Sequence, residues 1–230
     1  MTDRTIAVLG AGTGLGTAVA RRFGREGFRV ALVARTADRL HTLAATLADE
    51  EIEAIPFPAD LTNAASVPPM LQQIEQRLGP IDVLEYAPIT TGLFGSMAAL
   101  DAATVQAHLN LHLLTPIELV GNLLPTWQKL GNGAFLLAQG ISAVHPMPRL
   151  GALGPSMAAA RNWVLALHEE LAGTGVYAGV VHVGAMVTGS AAHRTFGAAA
   201  ADFPQIDPAA IADTMWSMYT ARDRAEQILS

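Results

Sequence analysis

The chain has 230 residues and a formal net charge of −6, and 51% of its side chains are hydrophobic whereas 15% are charged. This composition excludes a disordered chain and predicts one domain over residues 1–230 with a large core, because the charged share falls below the usual value of about 25%. The acidic balance argues against a nucleic-acid-binding protein, and the absence of cysteine excludes disulfides, thiolate catalysis and cysteine-bound metals.

Short apolar runs alternate with longer segments of helical periodicity, which is the pattern of βα units that build a parallel sheet. Apolar residues spaced three or four apart predict a helix after each of the first three strands. We therefore expect an α/β protein, a doubly wound parallel sheet of about seven strands with helices on both faces. The predicted strands cover residues 6–9, 30–33, 54–57, 81–87, 134–138, 177–183 and 228–229.

Two long helices are predicted over about 102–130 and 156–172. Pro116 and Pro125 lie within the first of them and are expected to kink it or end it. In the second helix, apolar side chains at helical spacing indicate a buried face.

Two irregular segments separate these elements. Residues 88–100 form a predicted loop, and residues 184–207 are rich in Ala and Gly without a clear period, so we interpret them as a mobile loop or short helices that shape a substrate pocket. Asp207 is expected to cap a last helix that has Pro208 in its first turn and ends near Thr220.

A glycine turn carries the clearest chemical signal. Gly10, Gly12, Gly14 and Gly16 lie directly between the first predicted strand and an amphipathic helix. Glycines let the backbone turn tightly and approach a pyrophosphate, whose charge is met by amides at the helix N-terminus. The alternative is a glycine-rich turn without a ligand. The strand before and the helix after favour dinucleotide binding.

The spacing of this turn resembles that of the short-chain dehydrogenase/reductase family. Asp60-Leu61 after the third strand matches the family's adenine contact, and residues 180–188 match its Pro-Gly-x-x-x-Thr stretch with Val183 in place of proline. The resemblance covers essentially the whole chain and implies a Rossmann-like fold. It implies a cofactor site made of Gly10, Gly12, Thr13, Gly14, Leu15, Gly16, Ala34, Arg35, Thr36, Asp60, Leu61, Ala87, Pro88, Gly184, Met186 and Thr188.

The end of the second strand indicates which nicotinamide cofactor is preferred. An NAD site usually has an acidic residue about 20 positions beyond the glycines, on the ribose 2′-hydroxyl. Here the sequence is Ala34-Arg35-Thr36, without an acid. Arg35 is able to contact a 2′-phosphate through two hydrogen bonds, although most single arginines are simply solvated. We therefore expect NADP(H) rather than NAD(H).

The family's usual catalytic groups are missing. Relatives use a serine and a Tyr-x-x-x-Lys pair, in which the tyrosine is the general acid or base and the lysine lowers its pKa. An ungapped count places Gly140, Leu153 and Met157 at these three positions. No tyrosine occurs between Tyr86 and Tyr177, so a shifted register does not restore the pair.

Other groups are candidates for the missing role. The family's helix asparagine matches Asn110 by eye, whereas the ungapped count favours His112, and only one of the two can face the cleft. The catalytic candidates are Tyr86, His112, Ser142 and His145, each of which has a purely structural alternative. His41, His168, His182 and His193 lie far apart in the order of the βα units, so we expect no metal.

These observations favour an NADP(H)-dependent oxidoreductase that acts on an apolar small molecule and uses a non-standard proton donor. Two alternatives stay open: an inactive NADP(H)-binding sensor or partner subunit, and a non-redox enzyme. The resemblance implies a homodimer or homotetramer formed through the helices over about 102–130 and 156–172. No apolar run approaches the roughly 18 residues of a membrane span, and Ile6–Leu9 is too short for a signal segment, so we expect a cytoplasmic protein.

Overall fold

The computed structural model describes residues 4–89 and 95–230. Its centre is a seven-stranded, fully parallel sheet with the strand order β3-β2-β1-β4-β5-β6-β9. The doubly wound sheet predicted from the sequence is therefore confirmed. The strands of this sheet are β1 (Arg4–Leu9), β2 (Phe28–Ala34), β3 (Ala54–Pro58), β4 (Ile81–Tyr86), β5 (Gly133–Gly140), β6 (Val176–Val183) and β9 (Glu226–Leu229).

Helices cover both faces of the sheet. One apolar core lies beneath α3, α5 and α6, and a second lies beneath α1, α2 and α8. Both cores form because alternate residues of each buried strand point to opposite faces. The helices are α1 (Leu15–Gly24), α2 (Ala37–Ala48), α3 (Val67–Leu78), α4 (Ala102–Leu109), α5 (Thr115–Leu130), α6 (Leu153–Glu170), α7 (Ala191–Phe196) and α8 (Pro208–Ala221).

The helix predicted over 102–130 is present, but the two prolines act differently from the expectation. A π-helical turn, Asn110–Leu114, joins α4 to α5, and Pro116 follows it in the first turn of α5. Proline has no N–H to donate to the carbonyl groups of the preceding turn. The Leu111 carbonyl accepts a hydrogen bond from the Tyr86 hydroxyl instead. Pro125 lies inside α5 without ending it.

The segment over 184–207 contains short elements, as one of the two interpretations proposed. A two-stranded sheet pairs β7 (Met186–Val187) with β8 (Gln205–Ile206), and α7 lies between them. Asp207 caps α8 as predicted, since its Oδ1 atom accepts the N–H of Ala209 at 2.8 Å. The other long helix, α6, begins at Leu153, before the predicted start at 156. Over the described residues, no helix is both long and apolar enough to cross a membrane.

Candidate functional site

A cleft of about 1180 Å³ opens at the carboxyl ends of the central strands, where parallel α/β sheets bind ligands. The glycine turn, the β2–α2 junction and the segments after β3 and β4 form its walls, together with residues from α4 and α7. Ten of the sequence-predicted cofactor residues line it: Gly10, Gly12, Thr13, Ala34, Arg35, Thr36, Asp60, Leu61, Ala87 and Pro88.

The glycine turn needs its glycines for three different reasons. Gly10 has a φ of +94°, and a Cβ atom there would lie 2.7 Å from the backbone nitrogen of Pro88. A Cβ on Gly16 would lie 2.8 Å from the Cα atom of Ala11. A Cβ on Gly12 would meet only the Gly10 carbonyl oxygen, at 3.6 Å, and Gly12 lines the cleft. Gly12 therefore leaves space for a ligand, whereas Gly10 and Gly16 permit the turn.

The remaining predicted cofactor residues do not line the cleft: Gly14, Leu15, Gly16, Gly184, Met186 and Thr188. A Cβ on Gly14 would lie 3.0 Å from the Cβ of Ser190, so this glycine accommodates the segment that caps α7. Backbone amides in the 184–188 segment are engaged locally, since Thr188 donates to the Ile206 carbonyl at 3.0 Å. The Thr13 hydroxyl donates to the Gly189 carbonyl at 3.2 Å and joins this segment to the glycine turn.

Basic side chains surround the part of the cleft near β2. Arg35 precedes Thr36, the N-cap of α2, whereas Arg39 lies in the first turn of α2, and both side chains are exposed. Sequence reasoning missed Arg39, although its spacing of four residues from Arg35 was a readable signal. Arg21 also lines the cleft, but its Nε atom pairs with Glu50 at 2.6 Å. The cleft therefore has a basic corner formed by Arg35 and Arg39.

Asp60, after β3, lines the same cleft as an ionised acceptor. Its Oδ1 atom accepts the Thr62 N–H at 3.0 Å and the Thr62 hydroxyl at 2.8 Å. These hydrogen bonds, aided by the positive charge of Arg35, lower the pKa of Asp60 below its ordinary value.

An apolar cluster occupies the positions where the family resemblance places the serine, tyrosine and lysine. Leu153 and Met157, one turn apart on α6, pack with Ala143, and all three are buried. The Ser142 hydroxyl lies 3.9 Å from the Met157 sulfur. A Cβ on Gly140 would lie 3.7 Å from the same sulfur. The positions that the ungapped count assigned to separate family roles are therefore brought together in space.

The structure places none of the four catalytic candidates on the cleft wall. The Tyr86 side chain is 1% exposed, its hydroxyl donates to the Leu111 carbonyl, and burial raises its pKa well above the ordinary value. Ser142 is buried against Met157. His145 is exposed outside the cleft. Tyr86 and Ser142 are therefore part of the packed interior.

His112 is buried in the π-helical turn, and burial together with the nearby His108 lowers its pKa to about 4. A histidine with this pKa is neutral at neutral pH and is not a proton donor there. The ungapped count favoured His112 for the cleft-facing position, but Asn110 lines the cleft instead. Asn110 is thus the one of the two side chains that faces the cleft, whereas which of them corresponds to the family's asparagine stays a prediction.

His108 is a cleft residue that the sequence analysis did not identify. It lines the cleft and also a second cavity of about 160 Å³, and burial lowers its pKa. Its ring stacks on that of His112 with a centroid distance of 5.9 Å. The spacing of His108 and His112 was visible, but helical spacing alone does not reveal that a side chain faces a cavity. Among the described residues, no group of three potential metal ligands is clustered.

The parallel sheet, the glycine turn and the cleft at the strand ends define a Rossmann-like α/β protein. A family model described as short chain dehydrogenase matches residues 4–196. The chain therefore belongs to the short-chain dehydrogenase family.

A curated relative is the ketoacyl reductase HetN of Nostoc sp. strain PCC 7120, which is 30% identical over 182 residues. The match covers 79% of this chain but 63% of that protein, so the chain spans less than two thirds of the relative's length.

Two solved structures illustrate the shared fold. L-sorbose reductase from Gluconobacter frateurii, complexed with NADPH and L-sorbose, has a TM-score of 0.86 at 18% identity and covers all of this chain and 96% of its own. An NADPH-bound short chain oxidoreductase from Pseudomonas aeruginosa PAO1, which contains an atypical catalytic center, has a TM-score of 0.85 at 20% identity. That match covers 98% of this chain and 94% of the Pseudomonas chain.

Proposed function

We propose that this chain binds NADP(H) in the large cleft and is an NADP(H)-dependent oxidoreductase that acts on an apolar small molecule. The observation that carries the proposal is the pairing of an open glycine position with a basic corner in one cleft. Gly12 has no side chain that would block the approach of a pyrophosphate. Arg35 and Arg39 have planar, charged groups that would donate hydrogen bonds to a 2′-phosphate. The bound dihydronicotinamide would supply the hydride.

The cleft has residues that fit both the pyrophosphate and the adenine of NADP(H). The first turn of α1 follows the glycine turn, where the N–H groups of Thr17 and Ala18 donate to the Gly12 and Gly14 carbonyls, and the positive end of the helix dipole there would favour an anion. Asp60 and Leu61 after β3 line the same cleft and would contact the adenine. We propose that the predicted residues outside the cleft wall, among them Gly184 and Thr188, support the cofactor through the β7–β8 segment.

Solved structures of the same fold support this assignment. Both structures described above contain NADPH, and the Pseudomonas protein contains an atypical catalytic center. An atypical catalytic center is therefore compatible with cofactor binding within this fold.

The exposed surface at the same end of the sheet supports an apolar substrate. Large apolar side chains are exposed in the segments that follow β4, β5 and β6. Ligands of parallel sheets bind at these strand ends. The exposed side chains are Ile89, Met97, Met147 and Phe203.

A second candidate function is supported by the apolar cluster. Because Leu153 and Met157 are buried where relatives have titratable groups, the chain has the features of an NADP(H)-binding protein that has lost hydride transfer. Such a protein would serve as a sensor or partner subunit. A non-redox enzyme on the same fold is the remaining alternative.

We also propose a homodimer or homotetramer formed through α5 and α6. Ile117 on α5 is 39% exposed although it is apolar, and Leu114 just before it is 42% exposed. Light scattering of Ile117→Asp would show dissociation, with Leu130→Asp at the end of α5 as the matched control.

Calorimetry with NADPH and NADH tests the cofactor assignment. We expect the wild type to bind NADPH more tightly than NADH, and Arg35→Asp and Arg39→Asp to reduce or invert that preference. Arg25→Asp is the matched control, because Arg25 is exposed and lies outside the cleft. Equal affinity for the two nucleotides in the wild type would contradict the proposal.

A reductase and a sensor differ in turnover. Loss of NADPH absorbance with a panel of carbonyl compounds and quinones would support the oxidoreductase. Tight NADPH binding without turnover on any acceptor would support the sensor instead.

A further inference from the structure

His108 lies at the junction of two cavities. Among the described residues, it is the only one that lines both the large cleft and the second cavity of about 160 Å³. A group held by the cleft and a small molecule held by the second cavity would therefore meet at this side chain.

The second cavity is built from rigid backbone. Residues 95–101 and 150–152 form most of its wall. The Gly95 N–H donates to the Arg149 carbonyl at 2.8 Å, and the Gly151 N–H donates to the Gly95 carbonyl at 3.2 Å. Ala152 in this wall immediately precedes Leu153, the residue at the family's tyrosine position. The cavity therefore adjoins the place where relatives carry out proton transfer.

Asp101 is an acidic residue in the wall of this cavity, and both of its carboxylate oxygens already accept hydrogen bonds. The Oδ1 atom of Asp101 accepts the Thr104 N–H at 2.8 Å, and its Oδ2 atom accepts the Thr104 hydroxyl at 2.9 Å. Asp101 thus caps α4 and is held ionised, so it neither donates a proton nor attracts a carbonyl oxygen. Ser96 and His108 remain as side-chain donors in this cavity, and of these two only His108 also lines the cleft.

The surroundings of the His108 ring leave one of its two nitrogen atoms accessible to a bound molecule. His108 is stacked on the buried His112 ring at an interplanar angle of 30°, which restricts its rotation. Its Nδ1 atom is buried and has no hydrogen-bond partner among the described residues. A molecule at the junction can therefore reach the ring only at its Nε2 edge, and a neutral imidazole that carries its proton on Nε2 donates one hydrogen bond.

We propose that the second cavity receives the carbonyl end of the substrate and that Nε2 of His108 donates a hydrogen bond to the reacting oxygen. The inference rests on the proposed function. NADPH bound in the cleft would supply the hydride that forms the new C–H bond at the carbonyl carbon and would become NADP⁺. The C=O π pair moves to the oxygen, His108 stabilises the resulting alkoxide, and water supplies the proton. His108 is then a catalytic residue, and the small cavity restricts the substrate to a compact carbonyl group.

Substitutions separate this role from a structural one. We expect His108→Leu to lower kcat/KM for 2,3-butanedione by about 100-fold, as the loss of one oxyanion donor does elsewhere. His108→Gln keeps an N–H donor and should retain part of the activity. Ala99→Leu fills the second cavity at an exposed position and should raise KM. NADPH affinity, measured by calorimetry, should change little in all three variants.

Histidine side-chain NMR provides a readout that is independent of turnover. With NADP⁺ bound, 2,3-butanedione should shift the ring resonances of His108, which are assigned by their loss in His108→Gln. Ala99→Leu should suppress the shift, and His41, exposed on α2, should not respond. A shift at His145 or His193, or at no histidine, would overturn the inference. If the wild type binds no NADPH, the proposed function fails, and the same NMR titration on the unloaded protein then decides the role of His108 separately.

Discussion

The sulfur of Met157 lies 3.9 Å from the hydroxyl oxygen of Ser142, beside the positions that the family resemblance assigns to the serine, the tyrosine and the lysine. Leu153 lies one turn before Met157 and is buried with it. In this chain these positions belong to a small apolar core. We therefore expect any chemistry in this protein to use groups outside that core, and we expect packing to determine which residues these positions tolerate.

The first prediction concerns Met157→Lys, which would introduce an ammonium group into this core. Met157 is 4% exposed, and no carboxylate packs in its cluster. A buried charge without a partner is costly, so we expect the free energy of unfolding to fall by about 3 kcal/mol. Met157→Leu, the control, should cost less than about 1.5 kcal/mol. Urea unfolding measures both, and equal stabilities would contradict the packing described here.

The same core offers a test of gain of function. Gly140→Ser fits, because a Cβ there would have ordinary contacts of 3.6 Å and 3.7 Å. We expect the triple variant Gly140→Ser, Leu153→Tyr, Met157→Lys to reduce carbonyl compounds faster than the wild type. Its control is the same variant with Leu153→Phe, which lacks the phenol. If both triple variants have the same rate, these positions do not face the reacting carbon.

Features that depend on neighbouring residues could be predicted from the sequence, whereas features that depend on tertiary contacts could not. The glycine turn and the strands depend on neighbouring residues, so the sequence was sufficient to place them. Tyr86 and His112 were selected as titratable groups, but their burial depends on elements far away in the chain. The π-helical turn could not be predicted either, because it accompanies a hydrogen bond from the Tyr86 hydroxyl to the Leu111 carbonyl, between residues far apart in the chain. His108 was missed because its importance lies in two cavities that exist only in the folded chain.

The second prediction separates glycines that build the turn from the glycine that leaves space. Gly10→Ala forces a Cβ to 2.7 Å from the Pro88 nitrogen at a φ of +94°, so we expect it to be destabilised by about 2 kcal/mol or more. We expect the free energy of unfolding of Gly12→Val to lie within about 0.5 kcal/mol of the wild-type value. Its NADPH affinity should nevertheless fall about 10-fold or more, because the side chain enters the cleft. Thermal unfolding and calorimetry give the two values.

A matched control for the glycine series is Gly121→Ala, on the exposed side of α5, where a Cβ has no neighbour within 4 Å. Alanine is favoured over glycine inside a helix by about 1 kcal/mol, so this variant should be at least as stable as the wild type and should keep its NADPH affinity. Unchanged NADPH affinity in Gly12→Val would show that the nucleotide does not pass over the turn.

The third prediction concerns Glu85, whose carboxyl is fully buried in β4 beside Val8 and Leu136. Neither of its oxygens has a hydrogen-bond partner among the described residues, and burial raises its pKa well above 4.5. The folded protein therefore holds a proton that the unfolded chain has lost. Above the unfolded pKa, stability falls by about 1.4 kcal/mol for each pH unit until the folded pKa is passed.

Glu85→Gln removes this ionisation, so we expect it to be more stable than the wild type at pH 7 and to have a flatter dependence of unfolding free energy on pH. Glu75→Gln, at an exposed position of α3, is the control and should follow the wild type. Urea unfolding between pH 4 and 8 measures the two slopes. If the wild type and Glu85→Gln have the same slope over this range, the Glu85 carboxyl is not protonated in the folded state.

The last prediction places an acid-sensitive group in the π-helical turn. His112 is 5% exposed, and burial with the neighbouring His108 lowers its pKa from 6.5 to about 4. The unfolded chain therefore binds more protons than the folded one between these two values, and folding loses stability as the pH falls through the window. The loss contributed by this residue is at most about 3 kcal/mol at the acid end. His112→Leu keeps an apolar side chain in the site and should lose less stability than the wild type between pH 6.5 and 4. The exposed His41→Leu should behave as the wild type does, and an identical acid loss in His112→Leu would mean that another group causes it.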